Sequence, residues 1–266
     1  MRKILCSTGA LIGRPNGRDH RLLGTLAPEL GCDGFEFMIY DTWYPNLSEV
    51  IADVKSMGLC IPTVHCEKGI GELIALGRTD EALRSFELNC EAAEKLGAKL
   101  LVLHLWNGVT SDGNIEANYA AFPALDMRAR AHGLILTVEN VVCNHADPLT
   151  HLKRLAELGA RFTFDTKMAA FHGQLLTVFE PEMSCVLKNI RHLHINDYGG
   201  GYMDWKNLRT LHIGQGGVDF ESFFDRLPED YDGDLTVEST AFGADGSVNT
   251  ALLNGDFEKL RQFTKC

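Results

Sequence analysis

Short apolar runs recur along this chain, and five of them follow a helical stretch and a glycine. The five glycines are Gly31, Gly58, Gly97, Gly133 and Gly159. Because a glycine in the left-handed conformation commonly ends a helix, each position predicts a helix end with a strand directly after it. Strands and helices that alternate in this rhythm are typical of a parallel β-sheet.

Eight apolar runs are predicted to be strands, near residues 3–7, 34–38, 60–65, 99–104, 135–139, 162–165, 192–196 and 234–238. Residues 79–96 show the pattern of the helices between them. There Leu83, Phe86, Cys90 and Ala93 recur at spacings of three and four residues. This spacing places one apolar stripe along the helix, and we expect that stripe to pack on the sheet.

The number of strands decides between two architectures. Eight parallel strands without a Pro- or Ser-rich linker favour a single domain over residues 1–266, a closed (β/α)8 or TIM barrel, over an open doubly wound sheet. The glycines at 199–201 lack the GxGxxG fingerprint of a dinucleotide site. The long stretch 197–217 is either a loop that covers a pocket or an insertion without a role.

Charge and composition narrow the class of function. The net charge of −11 repels phosphate backbones, so binding to nucleic acid is not expected. No segment approaches the ~18 apolar residues of a membrane span, and the N-terminus is strand-like, so we expect a soluble, cytoplasmic protein without a membrane partner. The eight cysteines show no CxxC or zinc-knuckle spacing, which indicates reduced and mostly buried thiols.

The sequence Leu-Thr-Val-Glu occurs at residues 136–139 and again at 235–238, so two buried strands each end in a glutamate. The strand ends of such a barrel meet at one rim, which places Glu139 and Glu238 around a common pocket. Any single titratable residue at a strand end more often has a structural role than a functional one. Several such residues at the same rim of a barrel, however, favour a functional site. Seven predicted strands end in one: Glu36, His65, His104, Glu139, Asp165, His194 and Glu238.

Four of these residues, Glu139, Asp165, His194 and Glu238, come from four successive strands and can converge on one point. Three carboxylates and one imidazole form a hard, oxygen-rich ligand set. The set suits one divalent ion, with Mn²⁺ the first expectation, Mg²⁺ or Co²⁺ the alternatives, and Zn²⁺ less favoured. Without a metal ion, the clustered carboxylates repel one another and raise the pKa of at least one of them.

Five motifs carry a resemblance to a known family. They are TVEN at 137–140, FDT at 164–166, HIND at 194–197, HIGQGGVDF at 212–220 and TVES at 236–239. In this order and spacing the chain resembles, over nearly its whole length, the xylose-isomerase-like TIM-barrel superfamily. That group includes sugar isomerases and epimerases, inosose dehydratases and the endonuclease IV type of DNA-repair enzyme.

The resemblance implies that Glu139, Asp165, His194 and Glu238 bind one metal ion, with the two glutamates also acting as acid and base. It also implies a role toward substrate, or toward further metal ions, for His65 and His104. The chain departs from the family pattern at Met168, where a histidine is usual. The endonucleases have Asp-x-His where this chain has Leu-Arg-Thr at 208–210, which disfavours DNA repair.

The expected function is therefore that of a divalent-metal-dependent sugar isomerase or epimerase, which abstracts a proton next to a carbonyl through a metal-bound enediolate. Acid and base on opposite faces of the sugar produce an epimer, whereas a single glutamate that returns the proton to the adjacent carbon produces an isomer. Three alternatives remain at this point: an inosose-dehydratase-like lyase, an endonuclease IV-like phosphodiesterase, and a barrel that binds sugar without turnover.

The expected small-molecule partner is a sugar or a sugar derivative, and homo-oligomers are common in the resembled families. Lys167 is a candidate for a substrate phosphate or carboxylate, although an exposed loop lysine is the commoner case. Trp106 is a candidate wall for a sugar ring or else packs under a loop. The residues predicted to bind substrate are Glu36, His65, His104, Trp106, Lys167 and Asp197.

Overall fold

The structure is a computed structural model that describes residues 2–264. Its eight strands confirm the eight predicted ones and pair in parallel with their sequence neighbours, and the last strand pairs with the first to close the barrel. The strands are β1 Ile4–Ser7, β2 Gly34–Met38, β3 Thr63–His65, β4 Leu100–Leu103, β5 Ile135–Glu139, β6 Arg161–Asp165, β7 Ile190–Ile195 and β8 Asp234–Val237. The predicted (β/α)8 fold is therefore confirmed.

Two strand starts differ from the prediction by two residues or more. The third strand begins at Thr63 and not at residue 60, because Pro62 has no N–H to donate to a neighbouring strand. The carbonyl of Pro62 still accepts hydrogen bonds from the backbone N–H groups of Lys99 and Leu100. The seventh strand begins two residues earlier than predicted, at Ile190.

The helices cover the outside of the barrel, and the helix predicted over residues 79–96 has those bounds. Its residues Phe86, Cys90 and Ala93 are fully buried, so the apolar stripe packs inward as predicted. The helices are α1 Leu23–Leu26, α2 Leu47–Ser56, α3 Ile70–Ala75, α4 Thr79–Leu96, α5 Ile115–Ala131, α6 Pro148–Glu157, α7 Thr166–Phe171, α8 Ser184–Leu187, α9 Phe220–Arg226 and α10 Thr250–Thr264.

Four of the five glycines predicted to end helices have positive φ, namely Gly58 (68°), Gly97 (79°), Gly133 (70°) and Gly159 (80°). The prediction is wrong for Gly31, which does not have positive φ. A short 3-10 turn, Ala27–Glu29, precedes Gly31, and Leu30 already has an extended backbone. The N–H of Gly31 donates instead to Asn254 Oδ1 of α10 at 2.8 Å.

The two faces of the strands differ in chemistry. Residues that face the helices are apolar and fully buried, such as Leu101, Leu103 and Val138. The alternate residues inside the barrel are polar and equally buried, and they form two layers. The lower layer includes Thr137, Thr163, His192 and Thr236, and the upper layer, two residues further along each chain, includes Glu139, Asp165, His194 and Glu238.

Two further observations concern the helices and the cysteines. None of the helices in residues 2–264 combines the length and apolarity that crossing a bilayer requires. The seven cysteines of this range form no disulfide, and four of them are buried. Cys266 lies outside the described residues.

The long connection after β7 is anchored in its second half. Both carboxylate oxygens of Asp197 accept backbone hydrogen bonds from that half, from Gly214 (2.8 Å), Gly216 (2.9 Å) and Val218 (3.1 Å). Asp256 of α10 accepts two more, from the His212 ring and the Ile213 backbone. These bonds hold residues 212–218 against the barrel, so this half of the connection is not a loose insertion.

We predict that Gly216→Ala lowers the free energy of unfolding by about 1–3 kcal/mol, because overpacking of this size has that cost. An added Cβ would lie 2.3 Å from Asp197 Oδ1 and 2.5 Å from the Tyr198 carbonyl oxygen. The measurement is urea unfolding followed by circular dichroism. Gly217→Ala is the matched control, since the nearest atom to its added Cβ is 3.9 Å away. Equal stability of the two variants would contradict the proposed close packing.

Candidate active site

A cavity of about 290 Å³ opens at the carboxyl ends of the strands. Glu139 and Glu238 line it, so the two Leu-Thr-Val-Glu segments reach one pocket as predicted. Three cationic side chains, Arg18, Lys68 and Lys167, line the same cavity. The cavity therefore combines a cluster of carboxylates with a group of positive charges.

The four candidate ligands converge at the base of the cavity, where Glu139 and Glu238 form part of its lining and Asp165 and His194 do not. One ligand atom from each of Glu139, Asp165, His194 and Glu238 lies within 4.8 Å of the others. Glu139, Asp165 and His194 are almost completely buried, whereas the Glu238 side chain is 13% exposed. Successive strands of the closed sheet bring these residues together, as the sequence predicts.

The orientation of His194 is defined on both sides of its ring. Nε2 donates to Glu36 Oε2 at 3.1 Å. Nδ1 lies 3.3 Å from Glu139 Oε1 and 3.6 Å from Glu238 Oε2, and it makes no hydrogen bond within the described chain. A buried nitrogen that faces carboxylate oxygens without a hydrogen bond is the expected geometry of a metal-binding imidazole whose other nitrogen is held by a carboxylate.

Glu36 lies behind His194 in the barrel interior, and this differs from its predicted contact with substrate. Its Oε2 accepts from His192 Nε2 (2.8 Å) and Thr236 Oγ1 (3.0 Å) as well as from His194. Glu36 is the middle residue of β2 and not its last, so its side chain belongs to a deeper level than the strand ends. It is fully buried and is absent from the cavity lining.

Asparagine side chains hold two of the candidate ligands. Asn196 Nδ2 donates to Asp165 Oδ2 at 2.7 Å and to Glu238 Oε2 at 2.9 Å, and so it connects the two carboxylates. Asn140 exchanges two hydrogen bonds with the backbone of Asp165. The remaining oxygen, Asp165 Oδ1, accepts from the Met168 backbone at 2.8 Å.

Two histidines predicted to face substrate contact Glu139. His104 Nε2 donates to Glu139 Oε2 at 2.7 Å, and His65 Nε2 lies 3.3 Å from the same oxygen. Burial lowers the pKa of His104 to about 4, although Glu139 partly opposes this shift. At neutral pH His104 is therefore an uncharged ring that directs one N–H to Glu139. Both rings are buried behind Glu139 and are absent from the cavity lining.

The pKa of one carboxyl group in the cluster is raised, as predicted. Burial raises the pKa of Asp165 to about 6, and the carboxylates of Glu139 and Glu238 add to the rise while Lys167 opposes it. Burial lowers the pKa of His194, but Glu36, Glu238 and Glu139 outweigh it and raise this pKa well above its usual value. A divalent cation among these carboxylates would relieve their repulsion and displace the His194 proton.

The donor set fits a divalent metal ion. It offers carboxylate oxygens from three residues and one imidazole nitrogen, and the hydrogen bonds of Asn196, His104 and Glu36 orient them. Oxygen-rich sets of this kind suit Mn²⁺, Mg²⁺ or Co²⁺ better than Zn²⁺. The strand-end prediction missed Asn196, which orients two of the ligands, and His192 and Thr236, which bond Glu36 behind His194. The signal available in the sequence was alternation, because His192 precedes His194 by two residues and Thr236 precedes Glu238 by two.

Of the remaining residues predicted to bind substrate, one lines the cavity and two do not. Lys167 lines the cavity. Trp106 does not, since it is completely buried, donates its ring N–H to the Val141 carbonyl at 2.9 Å and packs against His151. The alternative of packing under a loop therefore describes Trp106. Asp197 is also away from the cavity lining, and it holds the backbone of residues 212–218 as described above.

Met168 lines the cavity at the position where the resembled families have a histidine. The nearby His172 does not replace that histidine. It is buried, burial lowers its pKa, and its Nε2 accepts a hydrogen bond from the Cys143 backbone at 3.0 Å. The cavity wall is consequently apolar at this point.

Comparisons with known proteins agree with the fold. The sequence model of the family described as xylose isomerase-like TIM barrel matches residues 25–255. D-allulose 3-epimerase from Methylomonas sp. is similar in structure over 98% of both chains, with 18% identity and a TM-score of 0.69. The 3-keto-D-glucoside 4-epimerase of E. coli is similar over 100% of both chains, with 20% identity and a TM-score of 0.65.

D-psicose 3-epimerase from Clostridium cellulolyticum H10, whose structure was determined with D-tagatose, is similar over 99% of this chain and 98% of its own, with 14% identity and a TM-score of 0.69. A search among curated proteins found no match. At these identities the structural similarities establish the fold.

We predict that Glu36→Gln weakens the affinity for Mn²⁺ by about 10- to 100-fold, because a metal-binding imidazole depends on the carboxylate that holds its other nitrogen. The measurement is competition with a fluorescent chelator at pH 7. Glu116→Gln, an exposed position on α5, is the control and should bind Mn²⁺ like the wild type. An unchanged dissociation constant in a folded Glu36→Gln protein would show that Glu36 does not support the site.

We predict that Asp165→Asn becomes more stable relative to the wild type as the pH rises, when both proteins are kept in chelator. The raised pKa means that the folded wild type gains stability from protonated Asp165 below about pH 4 and loses it as the pH rises through about 6. The stability difference should shift by about 2–3 kcal/mol between pH 4 and pH 7.

Urea unfolding at several pH values measures this difference between the Asp165→Asn variant and the wild type. Asp230→Asn, an exposed position, is the control and should show no such trend. A difference between Asp165→Asn and the wild type that stays constant with pH would contradict the repulsion inferred at the cluster.

Proposed function

Because the chain belongs to the xylose isomerase-like TIM barrel family, we propose that it is a divalent-metal-dependent isomerase or epimerase of sugars. The observation that carries the proposal is the clustering of three carboxylates and the His194 imidazole, two of whose carboxylates, Glu139 and Glu238, line a cavity. The structurally similar proteins named above are sugar epimerases, which supports a sugar as the substrate.

In this proposal Glu139, Asp165, His194 and Glu238 hold one metal ion, with Mn²⁺ the first expectation. The bound ion supplies Lewis-acid polarisation of the substrate carbonyl, which makes the adjacent C–H more acidic. Asn196 and His104 orient the ligands so that little reorganisation is needed when charge develops on the substrate.

Glu238 is the better placed of the two glutamates to take a proton first. Its Oε2 is held by Asn196, whereas Oε1 accepts no hydrogen bond from any residue in the described range. The side chain is 13% exposed and lines the cavity. A carboxylate oxygen without a partner beside the bound sugar can act as the general base that forms the enediolate.

Glu139 acts as the second acid–base group. It ends the fifth strand and Glu238 follows the eighth, so the two reach the cavity from different parts of the rim. The neutral His104 holds Glu139 Oε2 and so fixes the carboxylate orientation. Proton return by Glu139 on the opposite face produces an epimer, whereas return by Glu238 to the neighbouring carbon produces an isomer.

The phosphodiesterase alternative has little support. His65 and His104 contact Glu139, and the chain lacks the Asp-x-His ligands at 208–210, where Thr210 Oγ1 instead accepts a hydrogen bond from Lys167 at 2.9 Å. The lyase alternative shares the proton abstraction and differs in its product. Product analysis on a β-hydroxy ketone, where a lyase releases water, separates the two.

We predict that Glu139→Gln lowers solvent-deuterium exchange at the substrate carbon by at least ~100-fold, because Gln cannot accept the proton. The measurement is proton NMR of ketohexoses and inososes in D₂O with Mn²⁺-loaded protein. Metal content is determined by mass spectrometry on the same samples, with Glu116→Gln as the surface control.

Loss of exchange with the metal retained would support an acid–base role for Glu139, and loss of both would support metal binding by it. Full exchange in Glu139→Gln would remove Glu139 from the mechanism. Absence of bound divalent metal in the wild type, purified without chelator, would overturn the proposed function.

A further inference from the structure

Lys167 is a buried cation that faces the cavity with few partners. Its residue is 9% exposed, and its ammonium group donates one hydrogen bond, to Thr210 Oγ1 at 2.9 Å. An ammonium group has three N–H donors. Burial of a charge is costly unless the charge is paired. Two donors of Lys167 therefore remain for a ligand in the cavity.

No carboxylate within residues 2–264 forms an ion pair with Lys167 at 4 Å or less. The neighbouring Asp165 uses its two oxygens for the Met168 backbone and for Asn196. In the proposed holoenzyme the metal ion offsets most of the negative charge of the ligands. Lys167 then has no ion-pair partner, although its charge acts on Asp165 over a longer distance.

A second lysine lines the same cavity. Lys68 follows the third strand while Lys167 follows the sixth, so the two lie on different parts of the rim. The Lys68 side chain also makes no ion pair in the described part of the chain. Arg18, by contrast, already pairs with Asp41 at 3.3 Å and lies over the Tyr40 ring.

Two unpaired lysines in one cavity are notable in a chain with a net charge of −11. The overall charge of such a chain repels small anions, and the cavity lining also includes Asp41 and Glu67, so direct contact with the lysines is what would hold an anion there. Beside Lys167 the wall is the apolar Met168 side chain. A neutral sugar would leave the buried ammonium group without an anionic partner. Sites with such an unpaired polar group discriminate strongly against ligands that lack the group it binds.

We propose that Lys167, assisted by Lys68, binds an oxyanion of the substrate, so that the enzyme acts on an acidic sugar and not on a neutral ketose. The inference rests on the proposed function and adds the substrate class. Carboxylate and phosphate share the required chemistry, because both present anionic oxygens to an ammonium group. The reacting substrate is then a keto sugar acid or a ketose phosphate.

The test compares three ligands of similar size on the Mn²⁺-loaded enzyme: D-fructose, D-fructose 6-phosphate and 5-keto-D-gluconate. Titration calorimetry measures binding, and deuterium exchange is followed in parallel. We expect at least one anion to bind about 10- to 100-fold more tightly than D-fructose, since hydrogen bonds to charged groups have this strength. The anion that does so identifies phosphate or carboxylate as the recognised group.

Lys167→Met should remove the tighter binding of the anion. The affinity for the anion should fall by about 10- to 100-fold, while the affinity for D-fructose should change less than about 3-fold. Lys167→Arg should retain most of the affinity for the anion, because the positive charge remains. Lys206→Met, an exposed position on the loop after the seventh strand, is the control and should bind all ligands like the wild type. If Lys167→Met does not fold, Lys68→Met provides the same comparison with a smaller expected loss.

Tighter binding of D-fructose than of either anion would overturn the inference, as would an equal effect of Lys167→Met on neutral and anionic ligands. Deuterium exchange on neutral ketoses in that case would leave the proposed function intact. A metal-free wild type would instead overturn the proposed function, and the anion preference measured by calorimetry would still decide the role of Lys167.

Discussion

The candidate active site depends on three carboxylates that the barrel holds close together at one end. Glu139, Asp165 and Glu238 lie close together, and the pKa of Asp165 rises to about 6, mainly because the carboxyl is buried and in part because the two glutamates repel its charge. The surrounding groups direct hydrogen-bond donors at these carboxylates, from Asn196, His104 and the Met168 backbone. Such an arrangement is costly without a cation, which is why it points to a metal site and not to a structural network.

The interior of the barrel supports this cluster from below. Each strand alternates between a side chain that faces the helices and one that faces the barrel axis, so the residue two positions before each candidate ligand also points inward. His192 and Thr236 reach Glu36 in this way, and Glu36 in turn holds His194. The polar lower layer thus fixes the imidazole whose Nδ1 faces the carboxylates. The candidate ligands at the rim and the polar residues of the interior therefore belong to one hydrogen-bonded network.

The walls of the cavity differ from its floor. The floor holds the acidic cluster, whereas Lys167, Lys68 and the apolar Met168 form part of the walls. Anchors outside the cavity keep the surrounding loops in place. Asp197 and Asp256 hold residues 212–218, and Thr210, which bonds Lys167, lies just before that segment. Under the proposed function, the carboxylate cluster holds the metal ion and the cavity walls bind the substrate.

The sequence by itself determined the architecture and the four candidate ligands. Apolar runs after glycines marked the eight strands, and parallel strands must end at one rim, so Glu139, Asp165, His194 and Glu238 were predictable as a group. Only the tertiary structure decided the roles of the remaining polar residues. Strand periodicity tells which face a residue occupies but not how deep it lies, so Glu36 was placed at the rim although it supports His194 from below.

The positions of residues beyond the strand ends were harder still to predict, because the backbone conformation there and not the local sequence decides where their side chains point. Trp106 packs in the core, Asp197 binds backbone N–H groups, and Lys167 is buried where an exposed lysine is the commoner case. Each outcome depends on contacts with segments distant in sequence, such as Val141 for Trp106, Gly216 for Asp197 and Thr210 for Lys167. Local sequence carries no information on such partners until the barrel closes and brings them together.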